Sequence, residues 1–475
     1  MTKLLLGIGL RQKRLSIISF TLFSAWLLSV PFEGQILYAR INNSGVDKEL
    51  LFILAIFANF LGLFICGFFV KRQDSAKVTM IISLVVCIAG SLIFFLPFSM
   101  LWYLAIVNIS FFAGLLIASW GFYYKAYSEF KDRFKTAADV IIYSNILMIF
   151  LSVLTTITTA FIALGTSIVL LIAALLLVFR LDDHPIDRVS KAIKSVEQNS
   201  VSSSILKPLL FLYIFILIIT INSGLMYRVV SPAFEYLAPL TNYYWAMPYI
   251  LALVILRNLP RKFNQSYILY IALAMVGLAF IAFMRLDSSF VSYLIIDTLM
   301  LGAFGVFDLF WWSVLGGFLD YSKMPAQIFG VGLSMNVMGI FLGGIIAKRF
   351  IVIDNDYITI SVIALIVIFI VLIMLPILNT LLTKVLRNHV FLNHLDSRDE
   401  SEQQKTFAES ELDKQLTEKE KEVVQLLLRG YTYKGISGKL HISENTMKFH
   451  IKNIYQKLHI NNKMELIRMF SDDKR

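Results

Sequence analysis

Long apolar runs alternate with short polar segments over the first 382 residues of the chain. A helix needs roughly 20 apolar residues to cross about 30 Å of hydrocarbon, and runs of about that length recur along this stretch. Twelve such runs lie near residues 15–32, 50–70, 78–97, 100–122, 138–161, 164–180, 207–227, 241–256, 266–284, 290–318, 326–347 and 357–382. The sequence Pro97-Phe98-Ser99 marks one turn, and a second turn is placed near Gly165. The pattern predicts an all-α, twelve-helix transmembrane bundle over residues 1–382.

The apolar runs stop after residue 382. Within residues 388–414, seven acidic residues stand against three basic ones, a net charge of −4. Low hydrophobicity and excess charge are typical of segments that bury too little apolar surface to fold. We therefore expect residues 383–414 to form a flexible acidic linker.

Residues 415–475 predict a small domain of four helices. Thr417 and Glu420 have the spacing of a capping box at the start of the first helix, and Gly430 suits its end. A second helix is predicted from about 432 to 440, and a fourth from about 462 to 470. Ser443 caps the third, residues 444–458, whose apolar residues recur at helical spacing.

Composition supports this division and limits the chemistry. Apolar residues make up 58% of the chain and charged residues 16%, far from the balance of soluble domains. The two cysteines, Cys66 and Cys87, lie inside apolar runs, and His389 and His394 have no metal-ligand neighbours at suitable spacing. We expect no metal site and no cofactor. No hydrolase triad or phosphate-binding loop is visible either, so we expect no enzyme.

The distribution of basic residues predicts the orientation of the bundle. With the basic N-terminus inside and residues 15–31 retained as the first helix, the inner segments hold 20 Lys and Arg residues and the outer segments hold 6. An even number of spans returns the C-terminus to the inner side. The expected location is therefore a bacterial inner membrane, with both termini in the cytoplasm.

Two carboxylates lie in the tenth apolar run. Asp297 and Asp308 are eleven residues apart, so they fall about 20° apart on one helix face and roughly 16 Å apart along its axis. Acidic residues at this depth usually face a cavity or a partner. One interpretation is a site for a cation, an amine-bearing ligand or protons. The other is structural pairing with Asn222, Asn336 or tyrosines, or an Asp297 that is shallow enough to contact lipid headgroups. We expect Arg228 to be solvated in an outer loop.

The long polar stretch 180–207 divides the spans six and six. This arrangement resembles the major facilitator superfamily, in which two six-helix halves enclose a midplane site. The family's signature between helices 2 and 3 has an aspartate where this chain has Lys71, which argues against transport. Gly339 and Gly343 have the small-residue spacing that lets helices pack closely.

The C-terminal domain resembles a known family of DNA-binding domains. The residues that carry the resemblance are Leu416, Thr417, Glu420, Gly430, Thr432, Lys434, Ile436, Leu440, Ile442, Ser443, Thr446, Lys448, His450, Ile454, Tyr455, Lys457 and Leu458. At these spacings the domain is similar to the LuxR-type (FixJ/NarL-type) helix-turn-helix.

The resemblance implies that the third helix enters the major groove of duplex DNA. The base-facing positions correspond to Lys448, Phe449 and Lys452, and positions near the DNA backbone correspond to Thr432, Lys434, Ser443 and Thr446. Lysines can donate to guanine or phosphate, and Phe449 can contact a thymine methyl. The net charge of +5 over 415–475 suits phosphate contacts. In this family the fourth helix commonly mediates dimers, so a homodimer is expected.

Two functions fit these features. The first is a transcription regulator tethered to the lipid bilayer, whose helix bundle senses a small molecule or a membrane state and controls the DNA-binding domain. The alternative is a major-facilitator-like transporter that carries an autoregulatory or vestigial helix-turn-helix tail.

Overall fold

The computed structural model divides the chain into two compact units, Met1–Leu381 and Leu382–Arg475. It describes residues 2–32, 35–41, 48–182, 201–237, 244, 246–258, 265–354, 357–396, 416–428, 436–437, 440, 442–458, 460 and 465–466. Within these ranges the secondary structure is helical and contains no strand, as the apolar periodicity predicts.

Seven α-helices form the first half of the membrane unit. They are α1 (Thr2–Leu27), α2 (Gln35–Ile41), α3 (Lys48–Phe69), α4 (Gln73–Ile93), α5 (Met100–Tyr127), α6 (Phe130–Ile157) and α7 (Ala160–Phe179). A turn of π-helix, Leu28–Phe32, lies between α1 and α2 and contains Pro31. Because proline has no backbone N–H to donate, the α-helical bonding pattern is interrupted at this point.

Six helices form the second half. They are α8 (Val201–Leu225), α9 (Ala246–Asn258), α10 (Gln265–Arg285), α11 (Phe290–Phe318), α12 (Pro325–Asp354) and α13 (Tyr357–Asp396). A π-helical turn, Met226–Val230, extends α8. Eleven helices of the described residues are long and apolar enough to cross a membrane, and α9 is a shorter apolar helix of 13 residues. The helix α9 lies where the eighth apolar run was predicted.

One predicted turn is wrong. The break between α6 and α7 falls at Thr158–Thr159, and Gly165 lies inside α7. The Thr159 side chain accepts a hydrogen bond from the Ile162 backbone N–H at 3.3 Å and caps α7. The polar threonine pair, rather than the glycine, therefore ends the helix. The turn at Pro97-Phe98-Ser99 is confirmed, since it separates α4 from α5.

Glycines allow close helix packing in the membrane unit. A Cβ atom at Gly343 would overlap the Ile221 carbonyl oxygen and lie 2.9 Å from the Gly224 Cα, and one at Gly339 would overlap Thr220. The backbones of α8 and α12 therefore touch at these positions, as the small-residue spacing predicts.

Two helices, α14 (Glu418–Leu428) and α15 (Glu444–Lys457), lie in the part of residues 415–475 that the structure describes. Their apolar sides share one core: Leu416, Val423, Val424, Leu426, Leu427, Ile436, Met447, Ile451, Ile454, Leu458, Ile460 and Leu466. The predicted first and third helices match α14 and α15; most of the second and fourth lies outside the described residues. The helix α13 continues to Asp396 through the first part of the predicted linker, and 397–415 lie outside the described residues.

Candidate nucleic-acid interface and membrane cavity

The start of α15 is fixed by a side-chain cap. Ser443 Oγ accepts a hydrogen bond from the Thr446 backbone N–H at 3.1 Å, and its hydroxyl lies 2.8 Å from Thr446 Oγ1. Both side chains are exposed. The N-terminal end of α15 therefore presents two hydroxyls and free backbone N–H groups, which suit contacts to the phosphate backbone of a nucleic acid.

The helix α15 has a buried face and a basic face. Met447, Ile451 and Ile454 are at most 7% exposed and pack in the core. Lys448, Phe449 and Lys452 are exposed on the opposite face, and Phe449 is 61% exposed. An exposed phenylalanine between two lysines on a rigid helix gives both charge and an apolar contact to a ligand in solution. The three sequence-predicted positions share one surface.

Two further residues on this face were not predicted from the sequence. Asn445 and Gln456 are also exposed. Asn445 lies three positions before Lys448 and four before Phe449, so helical spacing brings it to the same face. The same spacing argument could have found it, since asparagine is a residue type that pairs with adenine edges.

An ion pair between the buried carboxylate of Glu420 and the exposed Lys457 holds α15 against α14. Glu420 accepts hydrogen bonds from the Thr417 backbone N–H at 2.8 Å and from the Thr417 hydroxyl at 2.9 Å, which confirms the predicted capping box. Lys457 Nζ lies 2.6 Å from Glu420 Oε2. Burial alone would raise the pKa of Glu420, but the hydrogen bonds from Lys457 and Thr417 outweigh it and hold the pKa below its ordinary value. The pair fixes the C-terminal end of α15.

Two of the predicted DNA-contacting residues, Thr432 and Lys434, lie outside the described residues. The predicted cap residue Gly430 does so as well. Their roles stay predictions.

The membrane unit encloses a cavity of about 330 Å³. It lies between the π-helical turn Leu28–Phe32 with α2, the start of α3, the π-helical turn Met226–Val230 and the start of α11. Its lining includes five aromatic rings, Phe32, Tyr38, Phe52, Tyr227 and Tyr293, and four charged residues, Lys48, Glu49, Arg228 and Asp297. Residues of both halves of the bundle therefore meet around one space.

The two membrane carboxylates have different surroundings. Asp297 lines this cavity and is 5% exposed, and its Oδ2 is buried without a hydrogen-bond partner in the described part of the chain. The Tyr293 side chain approaches the same carboxyl group. Asp308 accepts a hydrogen bond from the Tyr249 hydroxyl at 2.5 Å and is not among the residues that line the cavity. Asp308 is thus paired with a tyrosine, whereas Asp297 has one oxygen unsatisfied.

Arg228 is placed differently from the expected solvated position. It lies in the π-helical turn after α8, and its side chain is 23% exposed. Its guanidinium is 3.9 Å from Glu49 and 5.0 Å from the Phe52 ring centroid. Glu49 also pairs with Lys348 at 3.0 Å. Glu49 therefore links the first half of the bundle to the second through Arg228 and Lys348. These pairs could not be predicted from local sequence, because their members are distant in the chain.

Ion pairs also join the halves at the other end of the bundle. Arg133 donates to Asp320 with two nitrogens, at 2.6 and 2.8 Å, and to the Gly316 carbonyl at 2.7 Å. The Arg133 side chain is 4% exposed. Arg257 and Asp139 form a second pair across the halves. These contacts join residues more than a hundred positions apart, so local sequence patterns could not reveal them.

The C-terminal residues match known regulators. Residues 414–470 match the GerE family, described as bacterial regulatory proteins of the luxR family. The transcriptional regulatory protein DegU of Brevibacillus brevis is 42% identical over 52 residues, which cover 11% of this chain and 22% of DegU. The spore germination protein GerE of Bacillus subtilis (strain 168) is 43% identical over 58 residues, covering 11% of this chain and 78% of GerE. The chain thus spans about a fifth of DegU but most of GerE.

The membrane unit is similar to solved transporters. The human organic anion transporter MFSD10 (TETRAN) aligns over 76% of this chain and 99% of its own, with a TM-score of 0.59 and 12% identity. The major facilitator superfamily transporter FucP in the outward conformation aligns over 77% and 98%, with a TM-score of 0.56 and 12% identity. At this identity the likeness shows the fold alone: the chain carries a major-facilitator-like membrane domain.

Proposed function

The chain belongs, through residues 414–470, to the luxR family of bacterial regulatory proteins, and on this premise we propose that it is a membrane-tethered transcription regulator. Residues 415–475 bind duplex DNA, and residues 1–382 hold them at a membrane. The observation that carries the proposal is the face of α15 that presents Lys448, Phe449 and Lys452 opposite the buried core.

This face suits the major groove. The groove is about 12 Å wide and admits an α-helix. Lys448 and Lys452 donate to guanine edges or to phosphates, Phe449 contacts a thymine methyl, and Asn445 pairs with an adenine edge. Ser443 and Thr446, at the N-terminal end of α15, contact the phosphate backbone together with the helix N-terminus. Thr432 and Lys434 contribute further backbone contacts.

The proposed topology places both termini in the cytoplasm of a bacterial inner membrane. It rests on the excess of basic residues in alternate loops, 20 against 6, and on an even number of spans. The eleven membrane-length helices of the described residues, together with the short helix α9 as a twelfth span, would make this number even. DNA is then within reach of the C-terminal unit.

We propose that the domain acts as a homodimer. Two recognition helices bound to half-sites one DNA turn apart, about 34–36 Å, bind more tightly than one. Confinement at a membrane raises the local concentration of the domains and favours this pairing.

The sensing element in this proposal is the bundle itself. Ion pairs join its halves at both ends, Glu49 with Arg228 and Lys348 at one end and Arg133 with Asp320 at the other. Two bundle states that differ in these contacts would respond to any ligand that binds one state more tightly. The change of state then alters the exposure or dimerisation of residues 415–475.

The isolated fragment 400–475 tests the DNA-binding part. The relative GerE, of which 78% aligns with this region, shows that a protein little larger than this domain exists. We expect the fragment to select a preferred duplex from a random pool and to bind it at least about a hundredfold more tightly than random DNA. Equal binding of selected and random duplexes at low salt would contradict sequence-specific regulation.

A transporter with an autoregulatory or vestigial tail is the second candidate. The observation that favours it is the major-facilitator-like fold over three quarters of the chain. Uptake of a labelled cationic compound into vesicles that contain the full-length protein would support it. An unchanged transcriptome after deletion of 415–475, with uptake retained, would indicate a vestigial tail.

A further inference from the structure

We propose that the cavity lined by α2, α3, α11 and the π-helical turns Leu28–Phe32 and Met226–Val230 binds an organic cation, an amine with an apolar or aromatic body, with Asp297 as its counter-ion. This assignment goes beyond the general expectation of a site at Asp297 or Asp308, because it separates the two residues. Asp297 lines the cavity and has an unsatisfied oxygen, whereas Asp308 is bonded to Tyr249.

The unsatisfied carboxylate oxygen is the first observation. A buried carboxylate without full hydrogen bonding is costly in a low-dielectric interior. The Oδ2 atom of Asp297 has no partner in the described part of the chain, although 95% of the residue's surface is covered. An ammonium N–H directed at this oxygen would supply both the charge and the donor.

The cavity wall is the second observation. Five aromatic rings line a space of about 330 Å³, which is within the range of roughly 300–1,000 Å³ typical of small-molecule sites. Aromatic faces attract cations and also bind an apolar body. The cavity already places two cations near rings: Arg228 lies 5.0 Å from the Phe52 centroid and Lys48 lies 5.9 Å from that of Tyr38.

Of the two carboxylates that line the cavity, Glu49 is already in ion pairs, so Asp297 is the one available to a ligand. Glu49, the other acidic residue of the lining, already contacts Arg228 at 3.9 Å and Lys348 at 3.0 Å. An anionic ligand at Arg228 would have to compete with Glu49, and one at Lys48 would still leave the Asp297 oxygen unsatisfied. A cation at Asp297 displaces no ion pair and supplies that oxygen with a donor.

The position of the cavity makes it suitable as the binding site of a signal molecule. Its wall combines the first half of the bundle, through the turn Leu28–Phe32, α2 and α3, with the second half, through the turn Met226–Val230 and α11. A ligand held there contacts both halves and therefore distinguishes bundle states in which the halves are displaced. The role of this ligand as a signal rests on the proposed regulator function. The binding site itself is tested without DNA.

The test uses purified full-length protein in lipid nanodiscs and three probes of similar size: 2-phenylethylammonium, 2-phenylethanol and phenylacetate. Binding is measured by calorimetry or by displacement of radiolabelled 2-phenylethylammonium. We expect the ammonium to bind at least about tenfold more tightly than the alcohol or the acid, since only it pairs with a carboxylate. Asp297→Asn should remove this preference, and the matched variant Asp308→Asn should keep it.

The comparison of the three probes on the wild-type protein tests the site even if Asp297→Asn does not fold, because it needs no variant. Equal binding of ammonium and alcohol, or no ammonium binding up to about 10 mM, would overturn the site, since this limit corresponds to a binding free energy weaker than roughly −3 kcal/mol. Retention of the preference in a folded Asp297→Asn would also overturn it. Ammonium binding together with failed DNA recognition by residues 400–475 would keep the site and reject the regulator.

Discussion

At the scale of single residues, the exposed lysines of α15 carry the DNA-binding proposal. Lys448→Ala or Lys452→Ala should weaken binding of the fragment 400–475 to its preferred duplex by about 1–3 kcal/mol if the contact is to a base edge. Specificity should then relax at one base position. Fluorescence anisotropy with a set of single-base operator variants measures both effects.

Lys419→Ala is the matched control for these two variants. It removes the same charge, but Lys419 lies on α14 and pairs with Glu422 at 3.1 Å. We expect it to leave base preference unchanged. If all three variants lowered affinity equally for every duplex, the lysines of α15 would contact only phosphates.

The Glu420–Lys457 pair predicts a pH dependence of domain stability. The pKa of Glu420 is lowered in the folded domain from its ordinary value of 4.5. Its ionised form therefore stabilises the fold above that value, and the stabilisation is lost as the pH falls from 4.5 through the lower folded pKa. Thermal unfolding of the fragment, followed by circular dichroism between pH 7 and 3, measures this loss.

Glu420→Gln isolates the contribution of this one carboxyl group. The variant should be less stable than the native fragment at pH 7, and the difference between the two should shrink at pH 3. A difference that stayed constant with pH would show that ionisation of Glu420 does not stabilise the pairing of α14 and α15.

Residue roles that depend on local spacing could be predicted from the sequence. The Ser443 cap, the Thr417–Glu420 capping box and the exposed position of Phe449 all follow from neighbours within four positions. The partners of Lys457 and Arg228 could not be predicted, because Glu420 and Glu49 are distant in sequence.

At the scale of elements, the Arg133–Asp320 pair joins the loop regions of the two membrane halves. Asp320→Asn should destabilise the purified full-length protein by about 3–5 kcal/mol, because it leaves a buried guanidinium without its counter-ion. Asp132→Asn is the control, since its partner Lys13 is 24% exposed and such pairs contribute about 0–1 kcal/mol. Thermal unfolding in detergent compares the two. Equal effects would mean that the Arg133 pair does not hold the halves together.

The contact between α8 and α12 gives a second prediction at this scale. Gly343→Ala should destabilise the bundle by about 1–3 kcal/mol, since its Cβ would overlap the Ile221 carbonyl oxygen and the backbones must separate. Gly277→Ala is the matched control, because a Cβ there meets side chains only at 3.9 Å. A thermal stability of Gly343→Ala equal to that of Gly277→Ala would contradict the tight packing.

Most helix positions could be predicted from apolar runs, because each span must be long enough to cross the hydrocarbon. Helix ends were harder to predict. The α6–α7 break lies at Thr158–Thr159 and not near Gly165, since a glycine is tolerated inside membrane helices and a threonine side chain can cap. Of the eighth predicted span, 241–256, the helix α9 covers residues 246–256, and 241–243 and 245 lie outside the described residues.

At the scale of the whole molecule, composition alone separates the two units, because residues 1–382 are apolar and 415–475 are basic and amphipathic. The compact units are Met1–Leu381 and Leu382–Arg475, and the division into membrane domain, linker and DNA-binding domain stays a prediction. The membrane cavity could not be predicted, because its lining comes from four distant parts of the chain. Orientation in the membrane and dimerisation stay predictions.

The most direct test of a DNA-binding regulator at a membrane is chromatin immunoprecipitation of the full-length protein in its native cell, after fractionation shows the intact chain in the membrane. We expect enrichment at a limited set of sites that share the sequence selected by residues 400–475. The enrichment should be lost in the Lys448→Ala/Lys452→Ala double variant at equal protein level. No site-specific enrichment, or the same enrichment in the double variant, would contradict the proposed function.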